Sequence, residues 1–539
     1  MPFDWSGGYA SQRLPVFARN MVATSHPLAA QAGLGVMARG GNAIDAAVAA
    51  AAAMTVVEPC SNGLGSDLFA IVWDGQQLHG LNASGRAPLA WTPAWFRQRY
   101  GADAQQPPRR GWDSVTVPGA VAGWAALSAR LGRLPFGDLM APAIDIAERG
   151  MAVPVVVQQK WAAAAALPEV AGGPGFAEAF LPWGRAPHVG ELFRFPAAAR
   201  ALRSIARSGG ESFYRGEIAA ALSAAAAEAG AGLAAIDLAA YAPEWVRPIR
   251  QAWRGVELHE IPPNGQGITA LMALGILEHF DLRSLGPDSA AAAHLQIEAI
   301  KLAFADVYRH VAEPAAMRVS VDQLLDPAYL AARARLIDPA RAQQFGTGLP
   351  PSGGTIYLST ADEQGRMVSL IQSNYMGFGS GVVLPGWGVS LQNRGHSFSL
   401  DAAKANVVAP GKRPFHTIIP GFLTRAGQPL MSFGVMGAHM QPQGHVQTLV
   451  RMIEHGQHPQ AACDAPRWRV DGGLDLGVEP AMPAAVVAEL AARGHRIAEL
   501  GDSYQDFGAG QFIWRLGDPG SQGYVGASDP RRDGAVVGL

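Results

Sequence analysis

The sequence predicts a mixed α/β (α+β) protein. Three stretches predict it: an alanine-rich helical opening, a long helix-dominated middle, and an abrupt change to strands after residue 350. In the opening, Pro27 to Ala53 is broken at Gly40-Gly41 and restarts at Asn42, an N-cap before Ala43-Ile44-Asp45, so two packed helices are expected. The turn-dense chain from Glu58 to Asp67 leads into two apolar runs, Leu68 to Trp73 and Gln77 to Leu81, joined across Asp74-Gly75 as a hairpin. From Gly119 to Leu336 helices dominate. Over Ala290 to Val311, for instance, Leu295, Ile297, Ile300, Phe304, Val307 and Tyr308 share one helical face. Ala162 to Ala235 is rich in Ala, Gly and Pro, yet Trp183, Phe193 and Phe213 recur through it as anchors of ordered helices. After Pro350-Pro-Ser-Gly-Gly354 come two runs rich in β-branched and aromatic residues, Thr355 to Ala361 and Arg366 to Gln372, joined by Asp362-Glu-Gln-Gly365. A glycine-rich segment thus feeds straight into a strand whose first residue is a threonine.

Composition narrows the function. A chain of 539 residues with 49% apolar residues can bury a large core. Lys+Arg of 42 against Asp+Glu of 44 leaves no basic field, which argues against nucleic acid or an anionic membrane as partner and favours a small molecule. Cys60 and Cys463 are the only cysteines, which excludes a disulfide framework and a Cys-rich zinc site, and both are expected to be small buried hydrophobes. Met1-Pro-Phe-Asp-Trp has no basic segment followed by an apolar one, so the expected compartment is the cytoplasm. The most apolar run, Ala46 to Val57, falls short of the roughly 20 residues a membrane span needs and is expected to be a buried helix.

The chemistry concentrates at the Gly-Gly-Thr step. A threonine hydroxyl is a poor nucleophile until a base takes its proton, and its own α-amine can be that base. The amine exists only if the chain is cut just before it. Gly354 lacks a Cβ and tolerates the backbone that lets Thr355 Oγ1 attack the preceding carbonyl, turning peptide into ester before water releases a new N-terminus. With a reference pKa of about 7.7 to 8.0, that amine is largely available as a base near neutrality.

A series of blocks places this step in context: Met21-Val-Ala-Thr-Ser-His-Pro, Gly40-Gly-Asn-Ala-Ile-Asp-Ala-Ala47, Thr116-Val-Pro-Gly-Ala-Val-Ala-Gly-Trp124, Phe213-Tyr-Arg-Gly216, Asp237-Leu-Ala-Ala-Tyr241, Pro262-Pro-Asn-Gly-Gln-Gly267, Glu298-Ala-Ile-Lys-Leu-Ala-Phe-Ala-Asp306 and Gly526-Ala-Ser-Asp-Pro-Arg531. In this order they resemble the gamma-glutamyltransferase family along nearly the whole chain. The resemblance implies a four-layer αββα sandwich of the N-terminal nucleophile hydrolase type, one catalytic unit over 1–539. It implies processing into a large chain 1–354 and a small chain 355–539 that stay together as a heterodimer, with a tetramer as a further step. It implies Thr355 as nucleophile, assisted by Ser373, with the N–H groups of Gly437 and Ala438 as the oxyanion hole. No cofactor and no metal are called for, and hydrolysis is expected over transfer to an amine.

Around the substrate the sequence departs from the family. Where the family has an acid for the substrate's α-ammonium stands Ser397, and where it has a glutamine stands Arg394. The family's carboxylate-binding arginine aligns with Ser84, with Arg86 two residues later, and its serine pair is His416-Thr417. An anion is lost and a cation gained. The expectation is an acyl group with a carboxylate and no α-ammonium, as in glutaryl-type or oxamate-type amides, met by Arg394, Arg86 or His416. An ordinary gamma-glutamyl hydrolase with rearranged contacts is the alternative, and an unprocessed, non-catalytic scaffold binding a small acid is the alternative of another class. His439 and His445 resemble a metal pair, but Pro442 lies between them and no acid lies in the run. Gly33-Leu-Gly35 lacks the preceding strand of a dinucleotide fingerprint. Glu58, Asp67 and the pair Asp464 and Arg467 are expected to form structural ion pairs.

Overall fold

A computed structural model describes residues 12–345, 355–501 and 507–539. Two seven-stranded antiparallel sheets lie face to face. The first runs, in spatial order, Ala535–Gly538, Met21–Thr24, Ile356–Ala361, Met367–Ser373, Asp67–Trp73, Leu78–Ala83 and Glu244–Val246. The second runs Val16–Ala18, Tyr524–Ser528, Gly510–Arg515, Gln428–Val435, Gly421–Arg425, Val256–Glu260 and Ile249–Trp253. Each sheet therefore draws strands from both sides of Thr355.

Strand alternation divides the apolar residues between two faces. Phe69, Ile71, Tyr357 and Ile371 of the first sheet meet Phe422, Ile513 and Tyr524 of the second in one buried cluster between the sheets. On the other face of the first sheet, Leu68, Ala70, Leu358, Val368 and Leu370 pack against the helices Pro27–Ala38, Ala43–Val57, Ala120–Leu131 and Phe136–Arg149. On the far face of the second, Leu258, Leu423, Met431 and Phe433 pack against Ile268–Leu277, Ala290–His310 and Met440–Leu449. The result is the four-layer αββα sandwich.

Most predicted elements form close to where the patterning places them. Asn42 caps its helix, its Oδ1 accepting from the N–H groups of Ile44 at 2.9 Å and Asp45 at 3.0 Å, while Asp45 answers with a bond from the Asn42 N–H at 3.0 Å. Ala43–Val57 is buried along its whole length, as a helix of small residues between sheet and outer helices must be. Both cysteines are buried and free. Within the helix-dominated middle, however, lie three short strands: Glu244–Val246 and Ile249–Trp253 form one edge of each sheet, and Val256–Glu260 is next to the edge of the second. Strands of three to five residues give too little alternation to stand out from helical surroundings. Among the described residues, no helix is long and apolar enough to cross a membrane.

Candidate active site

Strand register builds the first half of the site. Ile356 pairs with Gln372, which sets Thr355, one residue before its strand, opposite Ser373; Ser373 in turn pairs with Asp67. Three polar residues thus stand in a row at one end of the first sheet, all buried. Thr355 Oγ1 lies 3.0 Å from Ser373 Oγ, and Ser373 Oγ accepts the N–H of Tyr375 at 2.8 Å. Gly354, the other residue of the expected cut, lies outside the described residues.

The loop Gly437-Ala438 follows the strand Gln428–Val435 and precedes the helix Met440–Leu449. Both residues have positive φ, +116° and +51°. At Ala438 the left-handed backbone crowds the Cβ against the carbonyl, at a cost of roughly 1–2 kcal/mol. Neither N–H has an acceptor among the described residues, so both are available as donors. Gln266, from the Pro262 to Gly267 block, fixes this turn: its Nε2 donates to the Ala438 carbonyl at 2.8 Å and to the Thr417 carbonyl at 2.7 Å.

Arg394 forms the other half. Its guanidinium is fully buried, lies 4.1 Å over the Tyr375 ring, and donates from Nη1 to Thr417 Oγ1 at 2.8 Å. Nε and Nη2 have no partner among the described residues. Burial pulls its pKa down to about 10, which leaves it charged at neutral pH. Ser397 ends the same helical turn, Arg394–Ser397, and its buried Oγ also lacks a partner. Nε and Nη2 are the adjacent donors that grip a carboxylate side-on, and the Ser397 hydroxyl can add a third, so the arrangement offers a donor-rich candidate anion site.

Two residues expected to meet a carboxylate are engaged elsewhere. Arg86 donates to Glu313 at 2.9 Å, to Glu244 at 2.6 Å and to the Gly411 carbonyl at 2.9 Å, and this ion network leaves no reason to assign it to substrate. His416 has both ring nitrogens occupied. Nδ1 accepts the N–H of Ile418 at 3.3 Å, so Nε2 carries the proton and donates to Asp67 Oδ2 at 3.0 Å. Burial, then the nearby Arg394, holds His416 well below the usual histidine range. Asp67 is pushed up to about 7, mainly by burial, against the stabilising Arg394 charge and the Gly85 N–H. Asp67 is paired through its strand with Ser373, bonded to His416 and coupled to Arg394, so the ion pair expected of it lies within the candidate site. Arg467 pairs with Asp529 at 2.7 Å, not with Asp464. Glu58 is buried and accepts from Ser25 at 2.6 Å and Ser61 at 2.7 Å.

Sequence patterning did not mark Tyr375, Tyr308 or Gln266 as functional. Tyr308 falls on a helical face that reads as core, and Tyr375 carries its signal only in a φ of +76°, invisible without coordinates. His439 and His445 do not form a metal pair: His439 Nδ1 contacts the Tyr308 hydroxyl, and His445 Nδ1 contacts Glu260 at 2.7 Å. A different trio, His294, Glu298 and His495, has donor atoms within 4.8 Å of one another. There Lys301 already holds Glu298 at 2.7 Å and the two imidazoles hydrogen-bond at 2.9 Å, which leaves His495 Nδ1 as the buried ring nitrogen of the trio without a partner among the described residues.

A family model described as gamma-glutamyltranspeptidase matches residues 29–539. The crystal structure of cephalosporin acylase from Bacillus halodurans is similar with a TM-score of 0.94 and 49% identity, over 100% of this chain and 99% of that one. The oxamate amidohydrolase proenzyme of Klebsiella pneumoniae is 37% identical over 538 residues, 97% of this chain and 99% of its own length. A glutathione hydrolase-like proenzyme of Bacillus subtilis is 34% identical over 534 residues, 97% of this chain and 98% of its own.

Replacing Ala438 by glycine removes the left-handed strain while keeping the N–H. Ala438→Gly is expected to raise the thermal midpoint, by an amount corresponding to about 0.5–1 kcal/mol, without loss of amidase rate; a lower midpoint in a thermal melt would show that the Ala438 backbone is unstrained.

Proposed function

We propose that this chain, which belongs to the gamma-glutamyltranspeptidase family and is an amide-hydrolysing N-terminal nucleophile enzyme, cuts itself before Thr355 and then hydrolyses amides whose acyl part carries a carboxylate and no α-ammonium. The observation that carries the substrate class is Arg394: a buried, charged guanidinium with Nε and Nη2 unpartnered. Burying guanidinium N–H donors without acceptors is costly, and a substrate carboxylate supplies them. A gamma-glutamyl group would bring an ammonium toward the like charge of Arg394, where Ser397 replaces the acid that would meet it. Oxamate, the substrate in the name of one relative, is itself an amide with a carboxylate and no amine on its acyl part.

In the proposed cycle the cut leaves a large chain 1–354 and a small chain 355–539, held as a heterodimer because each sheet draws strands from both. The new α-amine of Thr355 takes the proton from its own Oγ1, and Ser373 Oγ, 3.0 Å away, orients that oxygen. Oγ1 attacks the amide carbonyl while the N–H groups of Gly437 and Ala438 stabilise the oxyanion. The amine leaves with a proton from the α-ammonium, and water, activated by the same amine, then releases the acid from the threonyl ester.

Two measurements test this. Denaturing electrophoresis is expected to show two chains for the wild type, the smaller beginning at Thr355, and one chain for Thr355→Ala. Glutaryl anilide is expected to be hydrolysed with a kcat/KM at least about tenfold above that for gamma-glutamyl anilide, a difference of ~1.4 kcal/mol; a clear preference for the gamma-glutamyl compound would refute the substrate class. Asp67 gives the pH dependence. Its carboxyl titrates near 7, facing Arg394, His416 and Arg413. Below that pH it is neutral; above it, its charge competes with the substrate carboxylate for Arg394, which itself stays protonated to about 10. KM for the glutaryl compound is therefore expected to rise several-fold as pH passes through about 7, and Asp67→Asn to flatten that rise.

A further inference from the structure

His439 stands directly after the oxyanion pair Gly437-Ala438, at the start of the helix Met440–Leu449. It is 4% exposed. Its Nδ1 contacts the hydroxyl of Tyr308, which belongs to the opposite helix, Ala290–His310. Its Nε2 is buried with no partner among the described residues. Arg394 is close enough that its charge, after burial, is the next cause holding the His439 pKa down at about 3. The imidazole is therefore neutral and carries one proton, and the question is on which nitrogen.

Tyr308 answers it. Burial raises its pKa well above the ordinary phenol value, so the hydroxyl keeps its proton and must donate it. Among the described residues the acceptor within reach is His439 Nδ1. With Nδ1 accepting, the ring proton resides on Nε2, the nitrogen left unpartnered, and Gln266, bonded to the carbonyls of both Thr417 and Ala438, ties the backbone just before His439 to the threonine that Arg394 Nη1 bonds.

We propose that Tyr308 and His439 form a specificity relay, in which Tyr308 fixes the tautomer and His439 Nε2–H serves, with Arg394 Nε and Nη2, as a donor to the carboxylate of the acyl group. This deepens the carboxylate reading above and rests on it. A neutral donor at that place adds a hydrogen bond to an anion and turns away an ammonium, which finds no lone pair there. The opposite tautomer would present Nε2 as an acceptor and would welcome an ammonium. Tyr308 is the positioning residue; His439 is the one that touches substrate.

The test uses the processed enzyme with glutaryl and gamma-glutamyl anilides. Tyr308→Phe keeps the ring that packs on Phe304 at 5.5 Å and Phe415 at 5.6 Å and removes only the hydroxyl, so the fold is retained, and appearance of the two chains on a gel reports it. In this variant the glutaryl KM is expected to rise about tenfold, the loss falling on KM rather than kcat, and the glutaryl to gamma-glutamyl preference to shrink because the ring can take either tautomer. His439→Leu is expected to raise the glutaryl KM at least as far, and His439→Gln, which still offers an N–H donor, to recover part of it. A purely packing role for His439 would make Leu and Gln equal. If the wild type prefers the glutaryl compound and all three variants keep its KM, the relay is wrong and the carboxylate reading stands; if the wild type prefers the gamma-glutamyl compound, both fall.

Discussion

The backbone pairing of Ile356–Ala361 with Met367–Ser373, and of the latter with Asp67–Trp73, is the constraint from which the site follows. Register in a sheet has a period of two, so a slip by one residue would turn Thr355, Ser373 and Asp67 to the other face. Apolar alternation prevents it. Phe69, Tyr357 and Ile371 are held between the sheets, while Leu68, Leu358 and Leu370 are held under the helices. A threonine hydroxyl reaches its serine partner to hydrogen-bond distance because several buried side chains on each face fix the strands that carry them.

The second half of the site depends on a different device. Arg394 arrives on a short turn outside both sheets, and nothing in strand pairing fixes where its guanidinium points. Thr417, Tyr375 and the surrounding buried loops do that. Gln266 then ties the backbone of Thr417 to that of Ala438 through one amide nitrogen. The loops that carry Arg394, Thr417 and Ala438 are thereby joined through hydrogen bonds. Asp67 belongs to both halves, paired through its strand with Ser373 and electrostatically coupled to Arg394.

The elements themselves were largely legible from sequence, because periodicity and capping are local. Asn42 with Asp45 announces a helix start, and the runs on either side of Asp362 to Gly365 announce a hairpin. The short strands from Glu244 to Glu260 were not legible, since runs of three to five residues carry little pattern. Arg86 and Arg394 looked equivalent as sequence, each an arginine beside an altered family position. What separates them is that Glu244 and Glu313, both distant along the chain, bond one directly, while the other is buried with Nε and Nη2 lacking a partner among the described residues. His416 differs from expectation for the same reason, its partner Asp67 lying 349 residues away in sequence.

The place of the proposed nucleophile and its chemical logic were legible in the sequence alone. Gly354 before Thr355 and the ordered blocks around them are local or linear features, and so is the exchange of an acid for Ser397 and a glutamine for Arg394. Tertiary structure decided which cation is free, which histidine is already bound, and that Ala438 adopts a left-handed backbone where glycine would be at ease. Hydrogen bonding and desolvation are properties of neighbours in space, and the neighbours that matter here come from strands and loops hundreds of residues apart.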